Sequence, residues 1–184
     1  QMIFIISLNN LFWDQLYINS SETIPKLIIK KRFDHVIDEI IQNCYDKILT
    51  MGEKNESIGV LATGMLHYLL TNALITSQRK IEHSGEELDI VIPGIKTLEK
   101  DPKKTLLICI LKTSDINKIN KKIEKLEKIQ LEKENIWLVL SEDIPTEKKS
   151  FILSKNSNTF SKIIFEIAQF TNVSGTDKFK ILRI

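Results

Sequence analysis

Two short apolar segments, each associated with one charged residue, constrain the fold of this chain most strongly. Residues 88–92 are apolar except for Asp89, and the apolar run within residues 105–111 is followed directly by Lys112. Short runs rich in Ile and Val between turn residues are typical of β-strands. The second run is apolar enough to lie inside a sheet covered on both faces. We therefore expect an acid on one strand and a lysine at the end of the next.

Helices and further strands are predicted around these two segments. Apolar residues at helical spacing, with polar residues at the ends, predict helices at 33–51, 57–77, 115–133 and 159–170. Strands or extended segments are predicted at 2–8, 16–18, 26–30, 80–83, 137–140 and 179–184. Ser84 and Gly85 favour a hairpin between 80–83 and 88–92, and 96–104 is expected to be a charged loop.

Length and charge restrict the organisation and the partners. A chain of 184 residues suits one globular unit, with strands and an amphipathic helix over 1–55, an α/β core over 56–141 and a helix and strand over 142–184. The net charge of +2 gives no strong attraction to nucleic acid or to an anionic membrane. Arginine, the better ligand for phosphate and guanine, occurs only three times, which argues against strong sequence-specific DNA binding.

Cysteine usage and hydropathy favour a cytoplasmic protein without membrane segments. Cys44 and Cys109 have no CxxC or Cys/His neighbour, so they are expected to be buried thiols of a reducing compartment. Residues 58–77 carry no formal charge, but their threonines, histidine and asparagine favour a buried helix over a membrane span. Residues 2–8 are too short for the apolar part of a signal peptide.

The order helix, strand, strand, strand, helix, strand over residues 56–141, together with Asp89 and Lys112, resembles the core of the PD-(D/E)XK superfamily. Restriction endonucleases, archaeal Holliday-junction resolvases and RecB-type nucleases share that core. The resemblance covers about half of the chain. It implies an α/β, restriction-endonuclease-like fold, extended by N-terminal strands and a helix and by a C-terminal helix and strand.

The resemblance also implies a set of site residues. In the superfamily, an acid on the second strand and another two residues before the lysine hold a divalent metal ion, and the lysine positions or activates water. Asp89 matches the first acid, Lys112 the lysine and Glu56 an additional acid of the first helix, whereas Ile110 stands where the second acid belongs. Glu87, two residues from Asp89 on the same strand, is an alternative ligand.

Three functions are open at this point. Magnesium is usually held by one or two carboxylates, so the loss of the acid at position 110 removes much of the site. The preferred hypothesis is a non-catalytic nuclease-fold protein acting in protein association or weak nucleic-acid binding, as a homodimer and without a cofactor. The first alternative is an active, magnesium-dependent DNA or RNA endonuclease with a displaced acid, Glu87 or Glu56. The second is a purely structural or regulatory subunit.

Structural roles compete with these functional roles. Asp89 can be a solvated residue near a turn, Lys112 can cover apolar surface with its stem, and Glu56 suits the positive end of a helix. Three other polar sets have simple explanations. His35 and Glu39 suit a surface pair, and Thr63, His67 and Thr71 a polar stripe on a helix. The lysines of the charged loop would make at best a weak phosphate contact; they are Lys96, Lys100, Lys103 and Lys104.

Overall fold

The computed structural model describes residues 23–173, which form six α-helices and five β-strands. In chain order these are α1 (Thr23–Ile29), α2 (Phe33–Leu49), α3 (Lys54–Asn72), β1 (Gln78–His83), β2 (Glu86–Ile92), α4 (Ile95–Lys100), β3 (Leu106–Ile110), α5 (Ile116–Ile129), β4 (Ile136–Leu140), β5 (Ser150–Ile152) and α6 (Ile163–Val173). Short 3-10 turns lie at Pro102–Lys104, Lys133–Asn135 and Phe160–Lys162.

The strands form one sheet in the order β1-β2-β3-β4-β5. Strand β2 is antiparallel to both β1 and β3, whereas β3, β4 and β5 run parallel to one another. The predicted hairpin and the α/β architecture are confirmed. As a consequence, the carboxyl ends of β3, β4 and β5 and the amino end of β2 lie at the same edge of the sheet, which we call the carboxyl edge.

Helices cover both faces of the sheet, so every residue of β3 and β4 is buried. On one face, α2, α3 and α6 pack on alternate strand residues such as Ile108 and Val139; we call this the α3 side. On the other face, α5 packs on Cys109 and Leu138; we call this the α5 side. The burial of β3 on both faces confirms what its continuous apolar run predicts.

Helix α3 contains most of the uncharged segment that the sequence predicts to form a buried helix, and nine of its 19 residues are buried. It begins three residues earlier than expected, because the carboxylate of Glu53 accepts the backbone N–H of Glu56 at 2.9 Å and so caps its first turn. Among residues 23–173, none of the helices combines the length and apolar character needed to cross a membrane.

Two local predictions are wrong, and one strand was not predicted. Residues 26–30 fall largely in helix α1, where Ile24 and Leu27 pack into the core, and are not extended. The expected loop 96–104 is mostly helical, because Ile95 and Leu98 turn onto the α5 side. The three-residue strand β5 lacks a sequence signal of its own and depends on pairing with β4. The strands predicted at 2–8, 16–18 and 179–184 lie outside the described residues.

Candidate functional site

Asp89 lies where the antiparallel ladder between β2 and β3 ends. The last paired residues toward the carboxyl edge are Ile90 and Ile108. Beyond this pair, Oδ2 of Asp89 accepts the backbone N–H of Ile110 at 2.9 Å, so a side-chain carboxylate takes the place of the next ladder bond. The strand is irregular here, since Leu88 packs on the α5 side and Ile90 on the α3 side.

The Asp89 carboxyl is largely desolvated yet surrounded by charges. Burial raises its pKa above the usual range, while the Ile110 N–H and the ammonium groups of Lys122 and Lys112 oppose that rise. The negative charge of Glu87 adds to it. Asp89 therefore has both lysines and one acid in its electrostatic surroundings. It lies with Cys109 and Leu126 of the α5 side, whereas the stem of Lys112 contacts Gly59 of α3.

Sequence reasoning missed Lys122, although α5 contains a signal for it. Lys122 follows the buried Ile119 by three positions and precedes the buried Leu126 by four, so it lies on the inward stripe of an otherwise solvated helix. Its Nζ donates to Oε2 of Glu86 at 3.2 Å and to the carbonyl oxygen of Glu87 at 3.0 Å. These bonds tie α5 to the start of β2 and place a cation near Asp89.

Lys112 follows β3 and crosses α3 at Gly59. A Cβ atom added to Gly59 would lie 2.7 Å from Cγ, 3.3 Å from Cε and 3.4 Å from Cδ of Lys112. The stem of the lysine therefore occupies the space that a side chain at position 59 would need, while the residue as a whole remains exposed. This contact explains the glycine at position 59. The missing side chain lets α3 approach the end of β3 closely and sets the path of the lysine stem.

Ile110 and the two additional acids do not complete a metal site with Asp89. The Ile110 side chain is only 5 % exposed and belongs to the core on the α3 side. Glu56 lies in the first turn of α3, where the helix dipole favours an acid, and Glu87 is exposed beside Asp89. Within residues 23–173, no three His, Cys, Asp or Glu side chains are grouped so that they could hold a metal ion. Among the described residues, Asp89 therefore belongs to no site with three protein ligands.

A polar network joins α3 to the loops that follow β3 and β4. Oδ1 of Asn55 accepts the hydroxyl of Ser141 and, at 3.3 Å, that of Ser114. The Ser114 hydroxyl also contacts Oε1 of Glu142, whose Oε2 lies 3.1 Å from Nζ of Lys54. The Ser114 hydroxyl and the Lys54 charge lower the pKa of Glu142, which keeps the network anionic at that end. The network as a whole holds the loop just after Lys112 against α3.

The remaining polar sets form local contacts. His35 contacts Arg32 and Asp34, and Glu39 accepts the amide of Asn43 at 3.4 Å. In α3, the hydroxyls of Thr63 and Thr71 each donate at 2.8 Å to the carbonyl four residues earlier, those of Gly59 and His67 respectively. Such bonds within one helix satisfy the hydroxyls of both threonines.

Comparison with solved structures shows that the chain has a known fold. The structure of the restriction endonuclease PspGI with substrate DNA matches with a TM-score of 0.56 and 11 % identity, over 90 % of this chain and 93 % of PspGI. Metal-depleted Ecl18kI with uncleaved, modified DNA matches with a TM-score of 0.57 and 13 % identity, over 95 % of this chain and 82 % of Ecl18kI. No protein-family model and no curated protein sequence matches. The chain thus has a restriction-endonuclease-like α/β fold.

Proposed function

We propose that this protein binds duplex DNA at the carboxyl edge of its sheet. The observation that carries the proposal is that the fold matches two DNA complexes over nearly the whole chain, and not only over the half that resembles a nuclease core. Ligands of sheets with parallel strands bind beyond the carboxyl ends of those strands. Lys112 is exposed there and supplies a cation for a phosphate. The net charge of +2 points to modest, salt-sensitive affinity.

Lys112→Ala is expected to weaken binding of a mixed-sequence duplex, because it removes a cation that contacts a phosphate in this proposal. The loss should be similar for all sequences, and the slope of log affinity against log salt should fall by about 1. Fluorescence anisotropy over a salt series measures both. The matched control is Lys103→Ala, an exposed lysine at the opposite edge of the sheet, which should bind as the parent does. Equal affinity and slope for the Lys112 variant would contradict the proposal.

Metal-dependent cleavage is a second candidate function, favoured by the position of Asp89 at the end of the β2–β3 ladder and by the lysine charges in its electrostatic surroundings. It requires a further carboxylate, for which Glu87 and Glu56 are the candidates. Asp89→Asn keeps an oxygen acceptor for the Ile110 N–H and removes the charge. If this function holds, the parent cleaves duplex DNA with magnesium, and Asp89→Asn reduces the rate by at least about 100-fold. A parent that does not cleave would leave DNA binding without cleavage, and equal cleavage by both proteins would exclude Asp89 from the reaction.

Association with protein, as a homodimer or as a regulatory subunit, stays a prediction. The same anisotropy measurement separates a purely structural subunit from a DNA-binding protein. If the protein binds DNA in a salt-dependent way and Lys112→Ala weakens that binding, the purely structural function is excluded. A purely structural subunit is not expected to bind a phosphate at the end of β3.

A further inference from the structure

The loop after β5, residues 154–158, lies at the same edge of the sheet as Lys112. Because β3, β4 and β5 are parallel, the residues that follow each of them emerge on one side. Strands β3 and β5 flank β4, so their carboxyl ends are about 10 Å apart at ordinary strand spacing. A duplex is wide enough to contact both. A DNA molecule held by Lys112 therefore passes within reach of this loop.

Local bonds hold the 154–158 loop in one conformation. Ser154 and Ser157 form an isolated backbone bridge, and the Ser157 hydroxyl lies 3.0 Å from that of Thr159. The Thr159 hydroxyl oxygen also accepts the backbone N–H of Ile152 at 2.7 Å. The Lys155 ammonium lies 2.6 Å from Oδ2 of Asp46 in α2, which anchors the loop to a helix. Side chains on such a loop lose little further freedom when a ligand binds.

Two asparagine side chains on this ordered loop are available for recognition. Asn156 and Asn158 are exposed, and their amides make no hydrogen bond to another residue of the described part of the chain. Between the loop and α2 lies an open polar cavity of about 350 Å³, lined on the helix by Asp38 and Gln42. Asn156 and Asn158 line the loop side of this cavity, so both residues border open space.

We infer that the 154–158 loop reads base edges in the major groove of the DNA bound at Lys112. Asparagine presents a donor and an acceptor in the geometry that pairs with N6 and N7 of adenine. The loop has the fixed backbone that such reading needs, and its distance from Lys112 separates base recognition from the phosphate contact. This inference rests on the proposed DNA binding. It assigns sequence preference to Asn156 and Asn158.

Selection from a pool of random duplexes, followed by sequencing of the bound fraction, tests this inference on the full chain. The parent should enrich a defined base pair or two. Asn156→Ala and Asn158→Ala should each lower discrimination at one base pair about tenfold, while affinity for unselected duplex stays within about twofold of the parent. Lys103→Ala should leave the preference unchanged. Both asparagines are exposed, so neither variant should compromise folding.

The outcomes separate this inference from the proposed function. Loss of binding in Lys112→Ala, with the same sequence preference in the parent and both asparagine variants, would overturn the loop's role and leave DNA binding in place. A parent that binds DNA without any sequence preference would likewise overturn the role of the loop and leave the proposed DNA binding in place. A parent that binds no duplex at all would overturn both.

Discussion

Ile110→Glu is expected to destabilise the protein by about 3 kcal/mol or more at neutral pH. The Ile110 side chain is 5 % exposed within the α3-side core, and its backbone N–H is bonded to Asp89. A glutamate there would be desolvated beside a second carboxylate, and both effects raise its pKa and penalise its charged form. The penalty is therefore fully present above that raised pKa and disappears as the pH falls below the ordinary glutamate value. Urea unfolding of the variant and the parent at several pH values measures the difference.

Magnesium should restore part of this loss. A glutamate at position 110 would supply the carboxylate that the Asp89 site lacks, and a cation bound between two acids stabilises the folded state in proportion to its affinity. We expect millimolar magnesium to raise the urea midpoint of Ile110→Glu and to leave the parent almost unchanged. Ile110→Gln, which has the same size but no charge, is the control and should not respond. A magnesium effect of equal size in all three proteins would show that positions 89 and 110 do not share an ion.

The parts of the fold that the sequence predicts correctly are those with a local cause. The hairpin turns at Ser84 and Gly85, whose φ angles of 52° and 76° are those of a tight two-residue turn. The run of apolar residues in β3 requires cover on both faces, and the structure provides it. Helix α1 and strand β5 have no such local cause. Burial of Ile24 in the core and pairing of β5 with β4 determine them, and both arise only in the assembled fold.

The residues of the candidate site likewise include some that a local sequence pattern identifies and others that only the assembled fold determines. Asp89 and Lys112 can be selected from the sequence because each interrupts or ends an apolar strand. The contact between Asn55 and Ser141 joins residues 86 positions apart, and no local pattern contains it. Lys122 is intermediate: its place on the inward stripe of α5 is visible in the sequence, but its approach to Asp89 depends on how that helix lies on the sheet. Helix periodicity identifies the face, and only packing identifies the neighbour.

Gly59→Ala is expected to impair DNA binding nearly as much as Lys112→Ala, with little change in stability. The new Cβ would lie 2.7 Å from Cγ of Lys112, closer than carbon atoms can pack, so the lysine stem must move away from α3. Alanine is favoured over glycine inside a helix by about 1 kcal/mol, which offsets the cost of that movement. Anisotropy should show the loss of affinity, and the urea midpoint should stay close to that of the parent. A stable variant with parental affinity would mean that the path of the lysine stem does not matter.

A double-mutant cycle distinguishes displacement of Lys112 from a general disturbance of α3. If position 59 acts only through the lysine, adding Gly59→Ala to Lys112→Ala costs no further affinity, and the coupling between the two changes is nearly as large as either single effect. If alanine instead shifts the start of α3 and the Asn55 network, the two losses add. The salt series provides a second measure, since displacement of one cation lowers the salt slope by about 1 in Gly59→Ala alone and by no further amount in the double variant. Additive losses would make Gly59 a packing residue of α3 and not a positioning residue for Lys112.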